Sequence, residues 1–308
     1  FGVLLGNGWY NLPTPDLFAY EKAPWNAQPR FLLRIELTYA DGSTELIVSG
    51  PDWKSRKSEI LFNCIRGGET IDARNAMPDW ASNGNTATDW KPVIIVNGPE
   101  GKPEPQLIPS EKVIHRIKPV ALHSPKPGVF VYDLGVHIAG YARFEVSGEA
   151  GQKLTLDFDE ALNDDGTITV KSRNSHTYGR YQTGELILSG KKRDVFEPRF
   201  TYHGFRYVQV RGLQSAPALD NLVGLQVHNE LDAVGSFSCS DTLLNKIQAA
   251  YVYSMFNSFH GVLTEPAREK INWTQDAHNM IEGAIFNFDF HNFANKWLKD
   301  VMDSQQPN

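Results

Sequence analysis

The chain has 308 residues, 41% of them hydrophobic and 21% charged, with a formal net charge of −6. That is an ordinary globular balance, enough for about two to three domains. The acidic balance and the lack of a basic stripe exclude a nucleic-acid binder. No apolar run reaches the roughly 18 residues a membrane span needs, and no signal peptide is visible. Cys64 and Cys239 are too few and too far apart for a disulfide framework or a metal site, and both read as buried thiols. The chain opens at Phe1, without Met and inside an apolar run, and so reads as a fragment or processed form.

In chain order, the first two thirds read as β structure. From Phe31 to Tyr39 the residues alternate, with Ile35, Leu37 and Tyr39 on one face and Arg34, Glu36 and Thr38 on the other. Asp41-Gly42 then turns the chain and Thr44 to Val48 returns, which predicts a hairpin. The Pro- and Gly-rich stretch Asn97 to Pro109, with Pro99 and Gly101, reads as a linker or long loop. Short strands follow at Phe130–Tyr132, Ala142–Val146, Leu154–Phe158, Glu185–Leu188 and Phe205–Val210, punctuated by glycines and Asp165-Gly166. Many short strands without helices between them predict an antiparallel sandwich. The Lys191-Lys192-Arg193 run reads as a solvated turn.

Near residue 240 the apolar period changes from 2 to 3.6. Leu243, Leu244, Ile247, Ala250, Tyr251, Ser254 and Met255 mark a first helix, capped by Ser240 or Asp241. Ala277, Met280, Ile281, Ala284, Ile285 and Phe288 mark a second, and Phe293, Trp297 and Val301 a third. Helices with this much apolar face do not close a core among three, so the helical domain is expected to continue past Asn308. The fold class is multidomain, β then α. Residues 1–110 are expected to form an incomplete β-sandwich, 111–230 a second β-sandwich, and 231–308 the opening of a helical domain.

The chemistry concentrates between the first two helices, in the run His260 to Ala277. Glu265, Arg268, Glu269, Trp273 and Asp276 fall close together there, and Pro266 breaks any continuous helix. Hydrolysis of a glycosidic bond needs a protonated carboxylic acid beside the leaving oxygen. An apolar wall such as a Trp ring keeps such an acid protonated, while an Arg and a second carboxylate can hold sugar hydroxyls. By spacing alone an exposed loop with local ion pairs accounts for the same residues.

The segment resembles the catalytic loop of the bacterial α-L-rhamnosidases, glycoside hydrolase family 78. Their Thr-Asp-Cys-Pro, Arg and Glu, Gly-Trp and Asp-Ala pattern is matched by Pro266, Arg268, Glu269, Trp273, Asp276 and Ala277. Gly2 to Tyr10 is similar to the last strand of that family's N-terminal sandwich, Gly68 to Arg74 to its Gly-Glu-x-x-Asp-Ala-Arg element, and Phe196 to Val208 to the strand pair ending the next sandwich. The resemblance implies a concanavalin-like second sandwich and an inverting mechanism on an (α/α)6 barrel. It implies Glu269 as general acid, and Glu265, Arg268, Trp273 and Asp276 as substrate-binding positions. A rhamnose-containing oligosaccharide or glycoside is then the partner, with no cofactor and no metal. The family's general base comes from later in the barrel, beyond residue 308, so this stretch alone is expected to be inactive.

The sequence departs from the pattern at Thr264 and Glu265, which stand where Asp and Cys are usual when aligned without a gap, Glu265 taking the Asp position with one deletion, and at Asn272 and Gln275, where Gly is usual. Asp133-Leu134-Gly135-Val136-His137 replaces the family's Asp-Phe-Gly-Gln-Asn. A glycosidase for another sugar, or a non-catalytic carbohydrate-binding sandwich protein, are the rival readings. Arg268 is expected to turn away from Glu269, toward the sugar or another carboxylate, because a nearby cation works against a protonated acid. Trp273 is expected to face an open cleft. His203 and Arg206 read as fixing a strand turn, with Gly204 supplying an unusual backbone angle. Asp157, Asp159, Glu160, Asn163, Asp164 and Asp165 read as turn residues rather than a calcium site, and neither His260 nor His291 has a second ligand at zinc spacing.

Overall fold

The structure, a computed structural model, describes residues 2–82, 89–98, 101–169 and 177–305, which leaves Pro99 of the expected linker outside it. The chain runs β1 (Arg34–Thr38), β2 (Thr44–Val48), β3 (Lys54–Ser55), β4 (Ile60–Cys64), β5 (Gly68–Asp72), β6 (Lys91–Pro92) and β7 (Glu111–Ile117). It continues with β8 (Ala121–Lys126), β9 (Val129–Val146), β10 (Lys153–Asp159), β11 (Thr183–Ile187), β12 (Asp194–Phe196), β13 (His203–Arg211) and β14 (Leu222–Asn229). Three helices follow, α1 (Thr242–Phe256), α2 (Thr274–Asn287) and α3 (His291–Asp303). The switch from β to α thus falls between Asn229 and Thr242. Among the described residues no helix is long and apolar enough to cross a membrane.

The expected hairpin is β1–β2, with Ile35 opposite Ile47 and Leu37 opposite Glu45. The main sheet orders its strands β4-β5-β11-β10-β13-β9-β14-β7, with β8 and β12 also bonded to β9. Two sequence expectations change here. Phe130–Tyr132 and Ala142–Val146 are the two ends of one strand, β9. Its intervening Asp133-Leu134-Gly135 bends the strand without breaking it: Gly135 takes φ +73, and the Asp133 carboxylate accepts the Gly135 N–H at 2.7 Å. Arg206 of β13 grips the same carboxylate from two nitrogens, at 2.7 and 2.8 Å, beside the register shift in β13. Along its length β9 exchanges β8 for β14 and β12 as neighbours, and this wraps the sheet into a sandwich-like half-barrel around one core. Secondly, the sandwich is not wholly antiparallel, because β11 and β5 run parallel, Leu186 beside Ile71. β4 and β5 lie at one end of this sheet, joined to it by the β5–β11 pairing.

Glu69 explains why β5 holds that place. Its carboxylate is buried and accepts the backbone N–H of Arg199 and of Phe200, at 3.2 and 3.1 Å. Desolvation pushes the carboxyl up to about 7, against the lowering effect of those two hydrogen bonds. The unfolded chain therefore releases this proton first as pH rises, and between about 4.5 and 7 the folded state holds more proton than the unfolded one, so stability falls with pH there. Glu69→Gln is expected to flatten that fall. Denaturant midpoints of both proteins at pH 5 and pH 7.5 would show it; equal pH slopes would contradict it.

The helices pack on a second core of Met255, Phe259, Leu263, Ala277, Ala284, Phe288, Phe290 and Phe293. Asp241 caps α1, its carboxylate accepting the Leu243 N–H at 2.8 Å. The apolar face anticipated on α1 is only partly covered: Leu243, Leu244 and Ile247 are exposed, as are Ile285 and Phe286 on α2 and Leu298 and Met302 on α3. Cys64 is buried, but Cys239 lies exposed before α1, so it is not the buried thiol expected.

Candidate active-site loop

The segment between α1 and α2 is built from its backbone outward. Phe259 and Leu263 pair as an isolated β-bridge, with Gly261 at φ +71 between them, and both side chains are buried in the helical core. A tight turn follows Pro266. Glu265 organises it: its carboxylate accepts the N–H groups of Ala267, at 3.0 Å, and of Arg268, while its carbonyl accepts the Lys270 N–H at 3.2 Å. Burial pushes the Glu265 carboxyl upward, opposed by those two backbone donors and by the Arg268 charge.

The loop is seated on the β sheet. The Tyr181 hydroxyl donates to the Ala267 carbonyl. Gly204 of β13 lies so close that a Cβ there would stand 2.8 Å from the Ala267 Cβ and 2.9 Å from its nitrogen. Gly204 thus serves close approach, not the unusual backbone angle expected of it, and its positive-φ region is unused. Gly204→Ala is expected to displace the loop and cost about 1–3 kcal/mol, as overpacking does. A thermal melt unchanged from the parent would contradict this.

Glu269 is 8% exposed. Its carbonyl accepts the Arg66 Nε–H at 2.9 Å, which joins the loop to the turn between β4 and β5. Arg66 in turn is ion-paired with Asp16, both side chains being essentially sealed, and its guanidinium stands 4.8 Å from the Trp9 ring centroid and 5.7 Å from that of Phe18. Arg268 does not turn away from Glu269. Its Nε lies 3.5 Å from the Glu265 carboxylate and 3.8 Å from that of Glu269. Glu265 and Glu269, four positions apart on a tight turn, both reach the cation, which keeps just over half of its side chain in solvent.

Glu265, Arg268 and Glu269 therefore form one cluster. Trp273 and Asp276 follow it in the chain, at the start of α2. Trp273 is 40% exposed and meets Phe18 edge-on, with ring centroids 5.9 Å apart. Asp276 is exposed in the first turn, where its charge also suits the helix N-terminus. Asn272, one of the departures from the family pattern, accepts the Trp297 Nε1–H of α3 at 2.9 Å and so ties the loop to the third helix. Trp9, Tyr20, Trp25, Val262, Lys270, Ile271 and Asn272 line a cavity of about 290 Å³ next to the loop.

Other candidates resolve into packing. His203 is buried and stacks on Phe158 at 4.5 Å, and burial holds its ring well below the ordinary histidine range, followed by the charge of Lys270. His260 is buried against Tyr202, ring to ring at 4.1 Å. Asp157 is engaged by Arg211 at 2.6 Å and Gln209 at 3.2 Å, while Asp165 pairs with Lys126 at 2.6 Å. Among the described residues no group of three His, Cys, Asp or Glu side chains is arranged to hold a metal ion. Asp16, Arg66 and Tyr181, which fix the loop from far away in the chain, gave no sequence signal; Lys270 lay inside the matched segment and its burial was the missing clue.

Three family models match in succession. They are the alpha-L-rhamnosidase N-terminal domain over residues 1–115, the bacterial alpha-L-rhamnosidase concanavalin-like domain over 123–228, and the bacterial alpha-L-rhamnosidase 6 hairpin glycosidase domain over 232–308. An α-L-rhamnosidase of Streptomyces avermitilis is 32% identical over 304 residues, covering 97% of this chain and 28% of that protein. One of Formosa agariphila is 32% identical over 317 residues, covering 99% of this chain and 33% of that protein. Among solved structures, the Streptomyces avermitilis α-L-rhamnosidase complexed with L-rhamnose superimposes with a TM-score of 0.87 at 33% identity, covering 97% of this chain and 29% of that one. The α-L-rhamnosidase from Dictyoglumus thermophilum gives a TM-score of 0.83 at 32% identity, covering 90% and 31%. The chain thus spans less than two thirds of the length of these relatives. Matches to three consecutive domains of one family, in that family's order, show that the chain belongs to the bacterial α-L-rhamnosidases and corresponds to their N-terminal and central portion.

Proposed function

We propose that this chain is part of an inverting glycoside hydrolase that removes terminal α-L-rhamnosyl groups from plant or microbial glycans. In this reading residues 1–110 and 111–230 are the two β units, and 231–308 open an (α/α)6-barrel catalytic domain. The exposed apolar faces of α1, α2 and α3 support that reading, since further helices of such a barrel would cover them. Glu269 is the general acid, protonating the leaving oxygen. Arg268, Glu265, Trp273 and Asp276 bind the sugar, Trp273 by stacking on its apolar face. The general base, which would activate water on the opposite face of the ring, belongs to later helices, so this stretch alone does not turn over substrate.

The observation that carries the proposal is a carboxyl group 8% exposed, in a loop hydrogen-bonded to the β sheet, beside the exposed Arg268 and four residues before the exposed Trp273. The rhamnose complex of the Streptomyces avermitilis relative supports the choice of sugar. Glu265 favours a second reading, a different sugar: it spends its carboxylate on its own loop's N–H groups. A panel of nitrophenyl glycosides given to the full-length protein separates the two. Release from the α-L-rhamnoside above all others, with the β anomer of the free sugar appearing first by NMR, is the expected result. Preference for another glycoside replaces the sugar assignment, and no release from any would favour a carbohydrate-binding role.

A further inference from the structure

Lys270 follows Glu269 directly and is 1% exposed. Its backbone takes φ +56, a left-handed conformation that a side-chain-bearing residue adopts at a cost of about 1–3 kcal/mol unless its surroundings hold it there. Its Nζ donates to the Ile65 carbonyl at 2.8 Å and to the Tyr202 carbonyl, and stands 4.7 Å from the Tyr202 ring centroid. Ile65 lies in the turn between β4 and β5, and Tyr202 just before β13. The neighbouring residue of the same turn, Arg66, donates in the opposite sense to the Glu269 carbonyl at 2.9 Å. Two consecutive loop residues are thus cross-bonded to two consecutive turn residues, one bond in each direction.

We infer that Lys270 is a positioning residue for proton transfer: it clamps the loop to two β elements and thereby fixes where the Glu269 carboxyl stands. The inference rests on the reading of Glu269 as general acid. A buried ammonium and a left-handed backbone are both unfavourable in isolation, and their coincidence at the residue after the acid makes sense if the geometry of that acid is what they secure. Burial holds the ammonium down to about 7, and Arg66 presses the same way, while Cys64 and Glu265 oppose. Tyr202 and His203 also face it from the β13 side. Misplacing a reacting group by about 1 Å costs on the order of 10²-fold in rate. The loss should be largest where the leaving group needs its proton.

The test compares Lys270→Met, Lys270→Gly and Lys270→Arg in the full-length protein, on a rhamnose disaccharide and on a dinitrophenyl α-L-rhamnoside. Lys270→Met is expected to lower disaccharide kcat by about 10²-fold and dinitrophenyl turnover far less, with KM for both little changed. Lys270→Gly keeps the backbone angle and should show the same split, while Lys270→Arg should restore part of the disaccharide turnover. Equal losses on both substrates, no loss at all, or loss of the fold in all three variants would overturn the inference and leave Lys270 structural. Glu269→Gln, run alongside, tells the two failures apart: if it shows no split, the acid assignment itself has failed, and this inference falls with it.

Discussion

Replacing Arg66 by Ala is expected to destabilise the full-length protein by about 3–5 kcal/mol, the cost of breaking a buried ion pair from one side. Asp16 would keep a carboxylate that is only 2% exposed and has lost its cation. The Glu269 carbonyl would lose its donor, and the rings of Trp9 and Phe18 would lose the guanidinium between them. Removing both charges is different in kind, since an apolar pair of similar size leaves no stranded ion. Asp16→Leu with Arg66→Met should therefore recover much of the stability but little of the loop's alignment. Denaturant unfolding of the single and double variants measures the first, and disaccharide turnover the second. A loss below about 1 kcal/mol for Arg66→Ala would mean that the pair behaves as an exposed one.

What the sequence discloses and what it hides follow from the range of the forces involved. The β1–β2 hairpin and the three helices were legible because their determinants are local: a period-2 pattern around Asp41-Gly42, and 3.6-period stripes after Asp241. The continuity of β9 was not, because Asp133 and Gly135 read locally as a turn, and only Arg206, far along the chain, converts them into a bend. The parallel β5–β11 pair and the burial of Glu69 depend on partners more than 100 residues away, at Glu185 and Arg199. In the loop, residue identities exposed the cluster of Glu265, Arg268 and Glu269, but not its arrangement. The expectation sent Arg268 away from Glu269, toward the sugar or another carboxylate; the guanidinium does reach the Glu265 carboxylate, but because Glu265 caps its own turn close by, it stays beside Glu269 as well. Asn272 looked like a defect in the family pattern until Trp297 of α3 supplied its partner.

The central claim is that Glu269 delivers the proton to the departing oxygen. In the full-length protein Glu269→Gln keeps the shape of the side chain and removes its acid. The Arg66 tether runs to the backbone carbonyl of Glu269 and is untouched, so the fold should survive. General acid catalysis contributes about 10²- to 10⁴-fold, and that whole factor is needed only when the leaving group is a poor one, such as the hydroxyl of a second sugar. An activated aryl group departs with little help. The decisive measurement is kcat/KM of Glu269→Gln against the parent on a rhamnose disaccharide and on a dinitrophenyl α-L-rhamnoside. A loss of about 10²-fold or more on the first and under about tenfold on the second is the predicted result; parental turnover of the disaccharide would remove Glu269 from the mechanism.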